Sequence, residues 1–233
     1  MVSIMVSIQT INAADVTLAG KWEFQLDPNG VGISEQWYNA PLSDSIRLPG
    51  TTDEAGKGYA VDHHSMSYPK DMPYSVFPSI TKPKKVDRCG FLTREHYYLG
   101  KAWYRRAFSV SSKQSTKYLQ LKLERVIWRS QVWVDGKFVG THDSLAIPHI
   151  YDLGRLVAGH HTLTICVDNS MIHNTGTIGH SYGPETQSRW NGIVGDISII
   201  THDPIWINDI QVYPHVEERQ VNLKINIRNP GQQ

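Results

Sequence analysis

Tyr118-Leu-Gln-Leu-Lys-Leu-Glu-Arg-Val126 sets Leu119, Leu121 and Leu123 against Gln120, Lys122 and Glu124. Strict alternation of this kind gives a strand with one buried face, because successive side chains point to opposite sides of the pleat. Close behind it, Gln131-Val-Trp-Val-Asp-Gly-Lys-Phe-Val-Gly140 reads as two short strands joined at Asp135-Gly136. An Asp-Gly pair favours the tight hairpin turn whose two central residues take positive φ. Together the two segments predict antiparallel sheet.

The pattern spreads in both directions. Gly20-Lys-Trp-Glu-Phe-Gln-Leu-Asp27 puts Trp22, Phe24 and Leu26 on one face. Ala102 to Val110 is rich in aromatic and β-branched types, and His161 to Val167 and Gly195 to Ile200 alternate again. Gly and Pro clusters punctuate these runs, and no amphipathic helix of useful length intervenes. Many short strands with turn signals predict an all-β fold, a jelly-roll β-sandwich over residues 16–202. Trp22, Trp103, Trp128 and Trp133 lie in or beside strands and are assigned to packing. Arg105 and Arg106 project to opposite strand faces, so one of them is expected to be buried and paired.

The chain has 233 residues, a formal net charge of +1 and 40% hydrophobic residues. That length suits one large domain or two small ones and buries a core without disulfides. The balanced charge gives no electrostatic footprint for nucleic acid. No apolar run approaches the ~20 residues of a helical membrane span. Cys89 sits among loop-type residues and Cys166 in an apolar run, and their spacing decides neither a bridge nor a compartment. Residues 1–15 are mildly apolar, with Asn12-Ala-Ala14 loosely like a small-residue cleavage site but no basic residue. They read either as a leader or as the tail of a signal segment. The second reading places the protein in the periplasm or outside the cell; the first leaves the cytoplasm open.

Two stretches depart from the pattern. Thr52 to Leu99 is long and polar, with Pro69, Pro73, Pro78 and Pro83, and reads as a functional or disordered loop. After His202 the composition changes. Pro204 to Pro214 and Val221 to Ile227 are two more strands, and two strands alone do not make a stable domain. Residues 203–233 therefore read as the first strands of a truncated second sandwich.

Several chemistries are excluded. Gly50-Thr-Thr-Asp-Glu-Ala-Gly-Lys57 mimics a phosphate loop, but Gly58 stands where Ser or Thr must bind magnesium. His63-His64 and His160-His161 are adjacent pairs without the spacing of a zinc protease. No two carboxylates pair in sequence as acid and nucleophile. No cofactor, no metal and no catalytic residue is assigned to this chain.

A set of short motifs, each weak, is strong in its order. Gly20-Lys-Trp-Glu-Phe24, Ile46-Arg-Leu-Pro-Gly-Thr-Thr-Asp53 and Gly100-Lys-Ala-Trp-Tyr-Arg-Arg106 come first. Arg125 to Gly140, Tyr151-Asp-Leu153, Val167-Asp-Asn169 and Trp190-Asn-Gly-Ile193 follow. Over roughly Leu18 to Ile200 the chain resembles the N-terminal region of family 2 glycoside hydrolases: β-galactosidases, β-glucuronidases and β-mannosidases. The resemblance implies a galactose-binding-like jelly roll, followed from residue 203 by the start of an immunoglobulin-like domain. It also implies a (β/α)8 barrel, absent from this chain, that carries two catalytic glutamates in a retaining mechanism. Two positions depart from the family pattern: Tyr97 stands where an Asn reaches the sugar, and Thr186 where an acid does.

The resemblance places the segment before Gly192-Ile193 at the sugar pocket. Gln187 and Asn191 are the candidate amides there, able both to donate and to accept, with Thr186 and Trp190 beside them and Asp53 at the start of the long loop. Each has a structural alternative: Asn191 as a loop cap, Trp190 as core, Asp53 as a turn former. Asp168 and Asn169 read as turn residues bonding nearby backbone. The function expected is a non-catalytic, pocket-walling domain whose partners are a carbohydrate substrate and the parent's barrel. A stand-alone lectin-like module and a purely structural sandwich are the alternatives. The sequence leaves the sugar and the oligomeric state open.

Overall fold

The computed structural model describes residues 15–60, 95–174 and 190–230. Residues 1–14 of the leader, Pro69 to Pro83, Cys89, Thr186 and Gln187 lie outside the described residues.

The strands are β1 (Val16–Thr17), β2 (Gly20–Asp27), β3 (Asp44–Leu48), β4 (Gly50–Thr51), β5 (Tyr59–Ala60), β6 (His96–Tyr97) and β7 (Lys101–Val110). They continue as β8 (Tyr118–Val126), β9 (Arg129–Val134), β10 (Lys137–His142), β11 (His149–Gly154), β12 (Gly159–Asp168), β13 (Gly192–His202), β14 (Trp206–His215) and β15 (Gln220–Arg228). One sheet runs β1-β13-β8-β11, with β4 also on β13; the facing sheet runs β10-β9-β12-β7-β2-β3. From β7 to β13 the chain crosses repeatedly between them, as expected for the jelly roll. One four-residue helix, Ser112–Ser115, interrupts the strands. Ser111 and Gln114 cap it reciprocally, a Ser-x-x-Gln box that ends β7.

Leu119, Leu121 and Leu123 are fully buried between the sheets with Trp22, Phe24, Tyr104, Ile165 and Ile193. The Asp135-Gly136 turn joins β9 to β10 with φ of 50° and 74°, the positive values that this hairpin requires.

The tryptophans do not share one core. Trp22 packs between the sheets, whereas Trp103, Trp133, Cys166 and Leu42 form a second cluster on the outer face of the six-stranded sheet. Residues 28–43 cover that face. Their anchor is Asp27, whose carboxylate accepts from the Val31 and Gly32 amides at 2.8 and 2.9 Å and from Trp103 Nε1 at 3.1 Å. A Cβ on Gly32 would lie 2.4 Å from Trp103 Nε1, so only glycine lets the loop approach this closely. Burial on both faces explains why Val132-Trp-Val134 and Ile165-Cys-Val167 are continuously apolar. The Cys166 thiol is free, and burial pushes its pKa well up. Both arginines find partners: Arg105 pairs with Glu23 at 2.9 Å, and Arg106 donates to Leu18 O at 2.8 Å.

Where the edges β10 and β11 meet, a polar chain is buried. His149 Nε2–H donates to Ser144 O at 2.8 Å, which leaves Nδ1 to accept from the Ser130 hydroxyl at 2.6 Å. Tyr151 O–H donates to Ser130 O at 2.8 Å. Burial holds His149 below the ordinary histidine pKa.

Candidate functional site

Six strands end together at one end of the sandwich. Asp27, Lys101, Asp168 and Arg129 stand side by side there, paired in register across β2, β7, β12 and β9. Period two puts all four on the outer face, in a row of alternating charge. In the facing sheet, Val126 and Ile193 pair at the same end, beside Gly50. Residues 61–94 connect β5 to β6 and residues 175–189 connect Asn174 to Trp190, so the two longest connections depart near these ends.

Two buried amides tie the ends together. Gly100 precedes β7 with φ of 134°, a conformation that a side chain would strain. Asn169 Oδ1 accepts from Gly100 N at 2.9 Å, and Asn169 Nδ2 donates to Tyr98 O at 2.8 Å. Asn191 Nδ2 donates to Gly100 O at 3.0 Å and to Val167 O at 3.2 Å. Its Oδ1 accepts from Tyr104 O–H at 2.7 Å, and its backbone oxygen accepts from Thr52 N at 2.8 Å. Both asparagines have 0% exposure. Three motifs far apart in sequence thus converge on one glycine. Burial also raises the Tyr104 pKa strongly, so the phenol stays a neutral donor.

Around this knot lie one buried ring, Trp128, and several polar groups that reach the surface. Trp128 packs edge-on to the His173 ring, with centroids 5.8 Å apart, and its amide donates to Asp168 O at 2.9 Å. Asp143 accepts from His173 at 3.1 Å and lies 3.9 Å from Arg129. Asp168 Oδ1 accepts from the amide and hydroxyl of Ser170, at 2.9 and 2.5 Å, closing a turn. Glu54 accepts from Thr51 N and Oγ1 at 3.2 and 3.0 Å and fixes the start of the long loop.

The expected site residues divide between these settings. Asp53 is half-buried in the turn after β4, its carbonyl bonded to Gly56 N at 3.0 Å. Trp190 is half-buried and adjoins β13. Asn191 is at the expected end, but its amide is bonded to protein on both nitrogen hydrogens and on oxygen. The role that this geometry gives it is to fix the exit of residues 175–189. Asn169, read from sequence as a local turn residue, instead bridges to a loop 69 residues away. His173 and Asp143 carried no sequence signal, because a single polar residue in a loop is unremarkable until the fold pairs it. Among the described residues, no cluster of three or more His, Cys, Asp or Glu could hold a metal ion, and no helix is long and apolar enough to cross a membrane.

The family model for the glycosyl hydrolases family 2 sugar binding domain matches residues 16–203. A β-glucuronidase from Paenibacillus borealis is 27% identical over 157 residues, which is 67% of this chain and 21% of that protein. A β-galactosidase from Alteromonas mediterranea is 24% identical over 236 residues, 95% of this chain and 20% of that one. The chain therefore spans about a fifth of the length of these curated relatives. Among solved structures, the β-glucuronidase of Ruminococcus gnavus in complex with D-glucaro-δ-lactam superposes with a TM-score of 0.64 at 16% identity, over 96% of this chain and 35% of that one. An uncultured Clostridium sp. β-glucuronidase gives 0.62 at 18%, over 99% and 36%. At these identities the two structures show a shared fold.

Proposed function

The chain belongs to the family 2 glycosyl hydrolase sugar-binding domains, and from that premise we propose that it walls the substrate pocket of a larger retaining O-glycosidase. The catalytic acid and nucleophile reside on a barrel outside this chain. Residues 203–233 open an immunoglobulin-like domain between the two. The observation that carries the reading is the knot at Gly100. It holds the ends of residues 61–94 and 175–189 beside a rigid rim, the arrangement in which loops on a scaffold carry binding residues.

In this reading Gln187 contacts the sugar, with Thr186 and Trp190 beside it and Asp53 across the mouth, while Asn191 fixes the segment. An amide that loses a buried sugar hydroxyl costs about 1–3 kcal/mol. Gln187→Ala in the full-length parent therefore lowers kcat/KM by roughly 5- to 150-fold with an unchanged melting temperature. Parental efficiency in that variant refutes the contact. The 233-residue chain alone gives no turnover of nitrophenyl glycosides, because retaining hydrolysis needs two carboxyl groups about 5 Å apart.

A further inference from the structure

A second concavity lies away from the loop end. It opens along the free edges of β10 and β11 and is closed below by the foot of the β14–β15 ribbon, with a volume of about 630 Å³. Gln120 lines it, six residues along β8 from Val126, or roughly 20 Å at the rise of a strand.

Three β-bulges meet here. The register slips at Val139 in β10, at Leu153 in β11 and at Asn208 in β14. A bulge leaves one residue outside the ladder and re-aims its side chain, and bulges concentrate beside functional sites. They also break the regular edge that an added peptide strand would need. The cleft therefore favours a compact polar ligand over an extended chain.

Its floor is already bonded internally. His202 Nε2 donates to Gln120 Oε1 at 2.7 Å, and Gln120 Nε2 donates to Asp152 Oδ1 at 2.6 Å. Arg228 donates to Asp152 Oδ2 at 2.9 Å, and Trp206 stacks on His202 with ring centroids 4.6 Å apart. This chain of contacts fixes the ribbon's foot. The Asn208 amide and the His142 imidazole line the cleft and make no hydrogen bond among the described residues. Arg228 directs one of its five N–H groups to Asp152. Mixed donors and acceptors beside aromatic rings, with the one cation neutralised by Asp152, suit a polyhydroxylated ring better than an anion or a lipid.

We propose that this cleft binds a pyranose unit of a glycan, at a subsite separate from the loop end, with Asn208 and His142 as its hydrogen-bonding residues. The proposal does not depend on the pocket-wall reading.

The test is amide and side-chain NMR of the full 233-residue chain. The probes are methyl β-D-galactopyranoside, methyl β-D-glucopyranosiduronate and an alternating Thr-Val hexapeptide. One of the sugars shifts the Asn208 side-chain amide, the His142 ring and the Trp206 indole. Asn208→Ala and His142→Ala each weaken that binding about 5- to 10-fold, the loss of one hydrogen bond, with the melting temperature retained. Shifts confined to Trp128 and His173, shifts at the cleft with the peptide alone, or unaltered affinity in both variants would each overturn the proposal. The first of these results would leave the loop-end reading standing.

Discussion

Leu119, Leu121 and Leu123 on β8, and Val221, Leu223, Ile225 and Ile227 on β15, are written in the same alternating pattern, yet they meet opposite environments. The first three have 0% exposure, and the four on β15 are 48–62% exposed. The ribbon is as amphipathic as any strand of the sandwich. Register pairs Ile210 with Ile225, Val212 with Leu223 and Pro214 with Val221, and the bulge at Asn208 returns Ile207 to the side of Ile227. All eight lie on one face, with Gln211, Tyr213, Asn222 and Lys224 on the other. Alternation thus decides which face is apolar, and only a facing layer buries it.

The largest test of the contrast compares Trp22→Ala with Leu223→Ala. Trp22 is 1% exposed, and its loss leaves a cavity between the sheets costing about 3–5 kcal/mol. Urea unfolding of the sandwich should show a correspondingly lower midpoint with the same slope. Should Trp22→Ala leave the midpoint in place, the inner core is not what stabilises this unit.

Asn191→Ala comes next, at about 1–3 kcal/mol, because Gly100 O, Val167 O and the Tyr104 hydroxyl lose buried partners. Thermal unfolding measures it, and Asn191→Asp should fare no better, since a carboxylate cannot donate to the two carbonyls. A neutral Asn191→Ala would mean that the knot does not hold the loop end.

A smaller effect follows from pH. Burial keeps His149 below the ordinary histidine pKa, so below about 6.5 the unfolded chain binds more protons than the folded one. Its contribution is complete above that pH and is lost progressively as pH falls. His161 has the opposite sign. Burial, the largest single influence, lowers its pKa, but the hydrogen bonds to Asp135 and to Val157 O and the charge of Asp135 together outweigh it and leave it raised, so its contribution is complete below about 6.5 and lost as pH rises. His149→Gln should flatten the acid side of the stability profile and leave the alkaline side as it was.

The smallest effect belongs to the ribbon. Leu223→Ala, at a site 55% exposed, should change the sandwich midpoint by no more than about 0.5 kcal/mol. Amide exchange in β14 and β15 should be fast while β8 and β12 are protected. Protection of Val221 to Ile227 equal to that of β8 would show that the apolar face has found a partner in solution.

Much of this molecule is local enough to read in one dimension. Period-two alternation gives the strands, Asp135-Gly136 gives the hairpin, and the order of short motifs gives the family, because each is carried by residues adjacent in the chain. What the sequence could not fix is which residues meet. It placed four tryptophans in packing, but the fold sends Trp22 inward and Trp103 and Trp133 to an outer cluster sealed by Asp27 and a loop. It offered Asn191 as a sugar ligand or a loop cap and Asn169 as a turn former, and the fold closes both on Gly100, from positions 91 and 69 residues away. An asparagine's chemistry is the same in either setting. The partners that its hydrogen bonds find are set by strand crossings between two sheets, and those contacts exist only once the sandwich has closed.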